Sequence, residues 1–129
     1  MSKLDKKSVI GISALLVHAA NIDEIYSDHE KDLVKDFIKS YLKDDDSNEI
    51  LKQAEEIEKN SNQLLNYTNI IKKNSMDIKK DIIEHLWKVI ISDNSVDQYE
   101  SNLMRRICGL VYFPDKECAE IKLKLLNSK

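Results

Sequence analysis

Apolar residues recur along this chain at the three- and four-residue spacing of α-helices. The first stripe is formed by Ile12, Leu15, Leu16 and Ala19. Further stripes follow, separated by short polar stretches such as KDDDSN at 43–48 and NSNQ at 60–63. The pattern predicts seven helices joined by short polar loops, the first running over about 4–22. We therefore expect an all-α fold in a single compact domain.

Polar residues in front of the stripes predict where several helices begin. Asp46 with Glu49 has the spacing of a capping box for the third helix, and Ser75 precedes the most hydrophobic helix. Pro114 disfavours helical geometry at the residue before it, so it should end the sixth helix. Asp115 is then predicted to cap the seventh helix with its side-chain oxygen.

Two helix–loop–helix units repeat at an interval of seventy residues. The segment IDEIYSDHE at 22–30 aligns with SDNSVDQYE at 92–100, and apolar positions on both sides keep the same register. The aligned loop residues are Asp23 with Asp93, Ser27 with Asp97, and Glu30 with Glu100. We place the first repeat at about 10–42 and the second at about 78–112. We expect two antiparallel helix pairs related by a pseudo-two-fold axis.

The acidic residues of these loops have two possible roles. Helix capping accounts for Ser27 with Glu30 and for Asp97 with Glu100, because a side-chain oxygen and a glutamate three residues later satisfy free N–H groups. It does not account for Asp23 and Asp93, which face the negative end of the preceding helix dipole. These two aspartates either form a polar turn or help to bind a divalent cation.

A cation site in these loops would use carboxylate oxygens, which favour calcium or magnesium over zinc. The candidate ligands are Asp23, Glu30, Asp93, Asp97 and Glu100. An EF-hand is excluded, because that loop needs glycine at its sixth position and glutamate at its twelfth. Counted from Asp93, these positions hold Gln98 and Met104. We therefore expect any bound cation to be held weakly.

Composition narrows the possible functions further. The chain has 129 residues with only two glycines and one proline, which argues against a β-fold rich in tight turns. The net charge of −3 comes without a clustered basic face, so we expect no nucleic-acid partner. The apolar run near the N-terminus is too short to span a bilayer. We expect Cys108 and Cys118 to be reduced thiols in a cytoplasmic protein.

The sequence contains no recognisable catalytic motif. It has no zinc-binding H-E-x-x-H, no phosphate-binding glycine loop and no G-x-S-x-G, so we assign no catalytic residue. His29 should be solvated, and His18 and His85 should be half-buried rather than ligands. The basic pairs at 72–73, 79–80 and 105–106 should lie on solvated faces. The predicted core includes Leu16, Phe37, Leu86, Trp87, Leu103 and Ile107.

The two acidic helix–loop–helix units resemble the TerB-like family of tellurite-resistance-associated proteins. ALLVHAANIDEIYSDHEKDL resembles the first half of that family, and IIEHLWKVIISDNSVDQYESNLMRRI resembles the second half. The segment LLNYTNIIKKNSMDIKKDII is similar to the link between them. The resemblance covers about 10–126 and implies a compact helical domain with an acidic, cation-binding cluster.

The chain departs from the family pattern at three positions. The family's glycine after the loop aspartate is Glu24 in the first unit and Asn94 in the second. Because asparagine adopts left-handed geometry more readily than glutamate, the second loop should keep the family's shape better. His18 stands where the family often has an acidic residue.

Two functions remain open from the sequence. One is a non-enzymatic, stress-response adaptor domain whose acidic loops bind protein partners or a weakly held divalent cation, as the family resemblance implies. The alternative is a small enzyme that uses the paired carboxylates as acid and base or as metal ligands. A deep apolar pocket at the acidic loops would favour the enzyme, and a flat acidic surface would favour the adaptor.

Overall fold

The chain folds into helices throughout the part that the structure describes. A computed structural model describes residues 4–21, 27–43, 46–60, 65–91 and 98–127, with the backbone alone at 65–66 and 98–100. These residues form α1 Lys6–Ala20, α2 Asp28–Tyr41, α3 Ser47–Asn60, α4 Leu65–Lys72, α5 Met76–Ile91, α6 Gln98–Leu110 and α7 Asp115–Asn127. No strand occurs among them. The predicted all-α fold of seven helices is confirmed.

Side-chain caps fix the first helix and the third. Asp5 caps α1, since its Oδ1 accepts from the N–H of Ser8 at 2.8 Å. α1 begins two residues later than predicted, and it ends at Ala20 with Asn21 as its C-cap. Asp46 lies before α3 as predicted, and its Oδ1 accepts from the N–H of Asn48 at 3.0 Å.

The predicted cap at Asp115 is wrong. Asp115 is the first residue of α7, and the residue before it is Pro114. The carbonyl of Pro114 accepts from the N–H of Cys118 at 3.1 Å, so the proline backbone already begins the hydrogen bonding of the helix. With the fixed φ of proline at this boundary, α7 starts one residue earlier than the capping prediction requires.

Two backbone hydrogen bonds cap the C-terminal end of α6. The N–H of Phe113 donates to the carbonyl of Cys108 at 2.8 Å, and that of Tyr112 donates to Gly109 at 3.4 Å. This is the bond pattern of a Schellman motif, which needs a left-handed residue after the helix. Tyr112 takes that conformation with a φ of 59°. A tyrosine therefore occupies a position that usually belongs to glycine.

A single continuous cluster of buried apolar residues runs from Leu4 to Ile121 and draws on all seven helices. The predicted core is confirmed, because Leu16, Phe37, Leu86, Trp87, Leu103 and Ile107 are all buried. α5 lies at the centre, where it packs against α1, α2, α4 and α7. α1 approaches α4 closely at Gly11, where a β-carbon would collide with the side chain of Ile70.

The seventy-residue interval of the sequence repeat is also present in the helices. α1 and α5 begin at residues 6 and 76, and α2 and α6 begin at residues 28 and 98. Aligned apolar positions are buried in both units, as Leu16 and Leu86 illustrate. The two units differ in how their second helix packs. In the first unit α2 packs against α1, whereas in the second unit α6 packs against α4 and α7. The pseudo-two-fold axis between the two units stays a prediction.

One surface prediction is wrong, and α3 shows how an apolar stripe can be partly exposed. Ile50, Leu51 and Ala54 of α3 are buried against α1 and α2. Ile57, from the same stripe, is instead 40% exposed. Lys79 was predicted to be solvated but is buried, which the long aliphatic stem of lysine allows. In the part of the chain that the structure describes, no helix has the length and apolar character needed to cross a membrane.

Candidate functional site

The acidic start of α2 is a complete capping box. The N–H of Ser27 donates to Glu30 Oε1 at 2.9 Å, and the N–H of Glu30 donates back to Ser27 Oγ at 3.2 Å. The Ser27 hydroxyl also donates to Glu30 Oε1 at 3.0 Å. The predicted capping role of Ser27 and Glu30 is confirmed. Glu30 stabilises the start of α2 in two ways, because it completes the capping box and places negative charge at the positive end of the helix dipole.

Glu30 is the one candidate cation ligand whose side chain the structure describes. It is only 8% exposed, and its Oε1 already accepts from two donors on Ser27. Asp23, Asp93 and Asp97 lie outside the described residues, as does the side chain of Glu100. Cation binding by these five candidate residues therefore stays a prediction. The start of α6 at Gln98 fits the cap expected from the residue before it.

The C-terminal end of α1 carries a polar cluster that leads into the first acidic loop. Asn21 Nδ2 donates to Glu58 Oε1 at 3.2 Å, and His18 Nδ1 lies 3.5 Å from Glu58 Oε2. The side chain of His18 is 40% exposed, so it is half-buried as predicted. Glu58 comes from α3 and so anchors the entry to the loop. Sequence analysis missed it, because nothing local marks one glutamate of that charged helix.

A second polar cluster joins α2 to α5. The hydroxyl of Tyr41 donates to Asp81 Oδ2 at 2.6 Å, and His85 Nδ1 lies 2.8 Å from the carbonyl oxygen of Asp81. Because a carbonyl oxygen can only accept, Nδ1 of His85 carries the proton. Burial is the main cause of the raised pKa of Tyr41, and the hydrogen bond to Asp81 is the second. The phenol therefore stays protonated and can donate. The rings of Phe37 and His85 pack edge to face at 5.2 Å.

This second cluster links α2 of the first repeat unit to α5 of the second. Asp81 Oδ2 accepts from the Tyr41 hydroxyl, Asp81 Oδ1 lies 3.6 Å from His85 Nδ1, and the ring of Phe37 packs against the imidazole of His85. Among the residues that the structure describes, no group of three or more histidine, cysteine, aspartate or glutamate side chains is arranged to hold a metal ion. Residues 22–26 and 92–97 of the acidic loops lie outside the described residues.

An apolar groove lies between α1, α3 and α4. It has a volume of about 640 Å³ and is lined mainly by Ile10, Gly11, Ile57, Tyr67 and Ile70, with two lysines at its edge. It adjoins the first half of α1, whereas the acidic loop follows the other end of that helix. The ring of Tyr67, which lines the groove, has its centroid 6.5 Å from that of His18 near the other end of α1. None of the lining residues belongs to α2, so the acidic helix start does not form this groove.

The chain was compared with known families, curated proteins and solved structures. A family model described as "Tellurite resistance protein TerB" matches residues 10–123. The match covers both repeat units and the segment between them, and it confirms the resemblance based on the quoted motifs. No curated protein and no solved structure matches the chain.

Proposed function

Because the chain belongs to the TerB tellurite-resistance family, we propose that it is a non-enzymatic adaptor domain of a cytoplasmic stress response. In this proposal residues 1–129 form one domain. Its two acidic loops form a surface that recognises protein partners and weakly binds a hard divalent cation. The domain acts by binding and carries out no reaction.

The arrangement of Ser27 and Glu30 is the observation that carries this proposal. Oε1 of Glu30 accepts two hydrogen bonds from Ser27 in its own helix cap, so this carboxylate is held in place by a structural role. A general acid or base needs a free oxygen in a pocket with apolar walls. The large apolar groove is lined by residues of α1, α3 and α4 and by none of α2, so it supplies no such walls to Glu30.

We place the stronger cation site in the second loop, centred on Asp93 and Glu100, with Asp97 at the helix cap. Asp23 and Glu30 form the weaker copy, since a cation there would have to share Oε1 of Glu30 with Ser27 or use the other oxygen. Calcium and magnesium suit these oxygen ligands. The site should bind in the range of about 0.1–1 mM, as weakly held extracellular calcium modules do, because few ligands are present.

Calorimetric titration of calcium and of magnesium into the purified protein tests the cation site. We expect weak heat of binding in the wild type and none at the second loop in Asp93→Asn. Asp28→Asn is a matched control, because Asp28 is exposed, lies in the same helix turn as Glu30 and is absent from the repeated pattern. If the wild type shows no heat at millimolar ion, the acidic loops are helix caps and docking surface alone.

The absence of catalysis is tested separately. Purified protein is screened against hydrolase and transferase substrates, in the presence and absence of magnesium. We expect no turnover above the buffer rate. A turnover that Asp93→Asn abolishes and Asp28→Asn leaves intact would replace the adaptor by an enzyme that uses the acidic loops.

A further inference from the structure

The two cysteines of the chain meet where α6 and α7 pack together. Cys108 lies near the end of α6 and is fully buried, whereas Cys118 lies in the first turns of α7 and is 6% exposed. The turn between the helices folds back tightly, with the N–H of Phe113 bonded to the carbonyl of Cys108 at 2.8 Å. Both cysteines are free thiols, and they lie at matching heights beside the turn, two residues before the end of α6 and three residues after the start of α7.

Several groups stabilise negative charge on the sulfur of Cys118. The indole N–H of Trp87, which belongs to α5, donates to Cys118 Sγ at 3.3 Å. Cys118 also lies near the N-terminus of α7, where the helix dipole favours a thiolate. Lys122 lies one helical turn further on, with its Nζ 5.4 Å from the centre of the Trp87 ring.

The two thiols differ in how readily they ionise. The hydrogen bond from Cys108 lowers the pKa of Cys118 to about 7, and the hydrogen bond from the Trp87 indole and the charge of Lys122 act in the same direction. Burial and the charge of Asp115 act in the opposite direction. The contact between the two thiols, together with burial, raises the pKa of Cys108. The contacts of Cys118 therefore favour the thiolate on this sulfur over Cys108.

We propose that Cys108 and Cys118 form an oxidation-sensitive dithiol that reacts with hydroperoxides and closes into an intramolecular disulfide. Cys118 is the attacking residue, because it is the more exposed of the two cysteines and its sulfur accepts the indole N–H. Cys108 is the resolving residue, because it is fully buried beside Cys118. This proposal uses none of the candidate cation ligands and is independent of the proposed adaptor function.

The reaction balances with hydrogen peroxide or an organic hydroperoxide as the oxidant. The Cys118 thiolate attacks one peroxide oxygen, so an S–O bond forms, the O–O bond breaks, and hydroxide or alkoxide leaves and takes up a proton. The resulting sulfenic acid is neutral, which removes the anion that held the proton on Cys108. Cys108 then loses its proton and attacks the sulfur of Cys118, so the S–S bond forms and water leaves. Two thiols are oxidised by two electrons, and the peroxide is reduced.

The test follows thiol content and disulfide formation in the full chain. Reduced wild-type protein is treated with hydrogen peroxide, its free thiols are counted, and its peptides are mapped by mass spectrometry. We expect both thiols to be lost together, a peptide pair linked through Cys108 and Cys118, and full reversal by dithiothreitol. Trp87 is the single tryptophan, so its fluorescence should change in step with disulfide formation. Retention of both thiols, when urea-unfolded protein oxidises under the same conditions, would refute the proposal.

Matched variants separate the two cysteines. In Cys108→Ser the sulfenic acid on Cys118 should persist and be trapped by dimedone. In Cys118→Ser the remaining thiol should react at least about tenfold more slowly than Cys118, because it has no stabilised thiolate. Equal peroxide reactivity of the two single variants would refute the assignment of roles. The circular dichroism of each variant establishes that it is folded, and the wild-type peptide map needs no variant.

A pH profile gives an independent readout on the wild type. The alkylation rate of Cys118 by iodoacetamide should be half-maximal near pH 7, below the value of about 8.5 for a free cysteine. Trp87→Phe removes the indole donor, so this midpoint should rise. A midpoint near 8.5 that Trp87→Phe leaves unchanged would show that the contacts do not activate the sulfur.

Discussion

Ser27→Ala tests whether the acidic start of α2 is held by its cap. The change removes the acceptor of the Glu30 N–H, a contact of 3.2 Å, and the hydroxyl donor to Glu30 Oε1 at 3.0 Å. Loss of an N-cap side chain costs about 1 kcal/mol, and a lost hydrogen bond to a charged group adds a comparable amount. Because Glu30 is buried, water replaces the hydroxyl poorly. We expect the free energy of unfolding to fall by about 2 kcal/mol.

Urea denaturation followed by far-ultraviolet circular dichroism measures this loss. Ser40→Ala is the matched control, because Ser40 is exposed, belongs to the same helix, and bonds only to the carbonyl of Phe37. Its effect should stay within about 0.5 kcal/mol, as for surface substitutions in general. A double-mutant cycle of Ser27→Ala with Glu30→Ala should show coupling of about 1 kcal/mol.

Two results would contradict this account of the helix start. One is a Ser27→Ala variant as stable as Ser40→Ala. The other is strict additivity of Ser27→Ala and Glu30→Ala, which would mean that the two side chains act independently. Either result would leave Glu30 available for a role in which its whole carboxylate faces a ligand, and the adaptor proposal would lose the observation that carries it.

Three further predictions concern the core, the turn after α6 and the link between the repeats. Leu86→Ala should lower the free energy of unfolding by about 2–5 kcal/mol in a urea titration, because Leu86 is fully buried in the central helix. Tyr112→Val should cost about 1–2 kcal/mol in the same titration while Tyr112→Asn is tolerated, because a β-branched residue fits the φ of 59° poorly. The raised pKa of Tyr41 implies stability that is fully present below about pH 10 and is lost as the pH rises towards the folded pKa. The stability difference between wild type and Tyr41→Phe should therefore shrink above about pH 10, and a pH-independent difference would contradict that assignment.

The sequence was sufficient for features that depend on neighbours within one or two helical turns. Periodic apolar residues predicted the burial of Leu16 and Leu86, and the spacing of Ser27 and Glu30 predicted their reciprocal cap. The repeat register also holds in the helix starts, which are seventy residues apart in both pairs of helices. These features follow from local geometry, which is why no tertiary information was needed to find them.

Features that depend on packing between distant segments could not be predicted. Glu58 contacts Asn21 across 37 residues, and Tyr41 contacts Asp81 across 40 residues. The pairing of Trp87 with Cys118 depends on how α7 packs against α5. The error at Asp115 has a different origin, because the sequence offers two competing signals there. A favourable capping side chain follows a proline whose own backbone can begin the helix.

The cap and the proposed cation site compete for the same carboxylate in the first repeat. A cation that drew Oε1 of Glu30 away from Ser27 would sacrifice the cap, at a cost of about 1 kcal/mol. That cost corresponds to about a fivefold weaker affinity, because 1.4 kcal/mol is a factor of ten. A cation bound only through Oε2 of Glu30 would leave the cap intact and would not lose this affinity. The observed cap thus gives a physical reason to place the weaker copy of the site at Asp23 and Glu30. At this loop the Glu30 carboxylate cannot fully stabilise the helix and bind a cation through Oε1 at the same time.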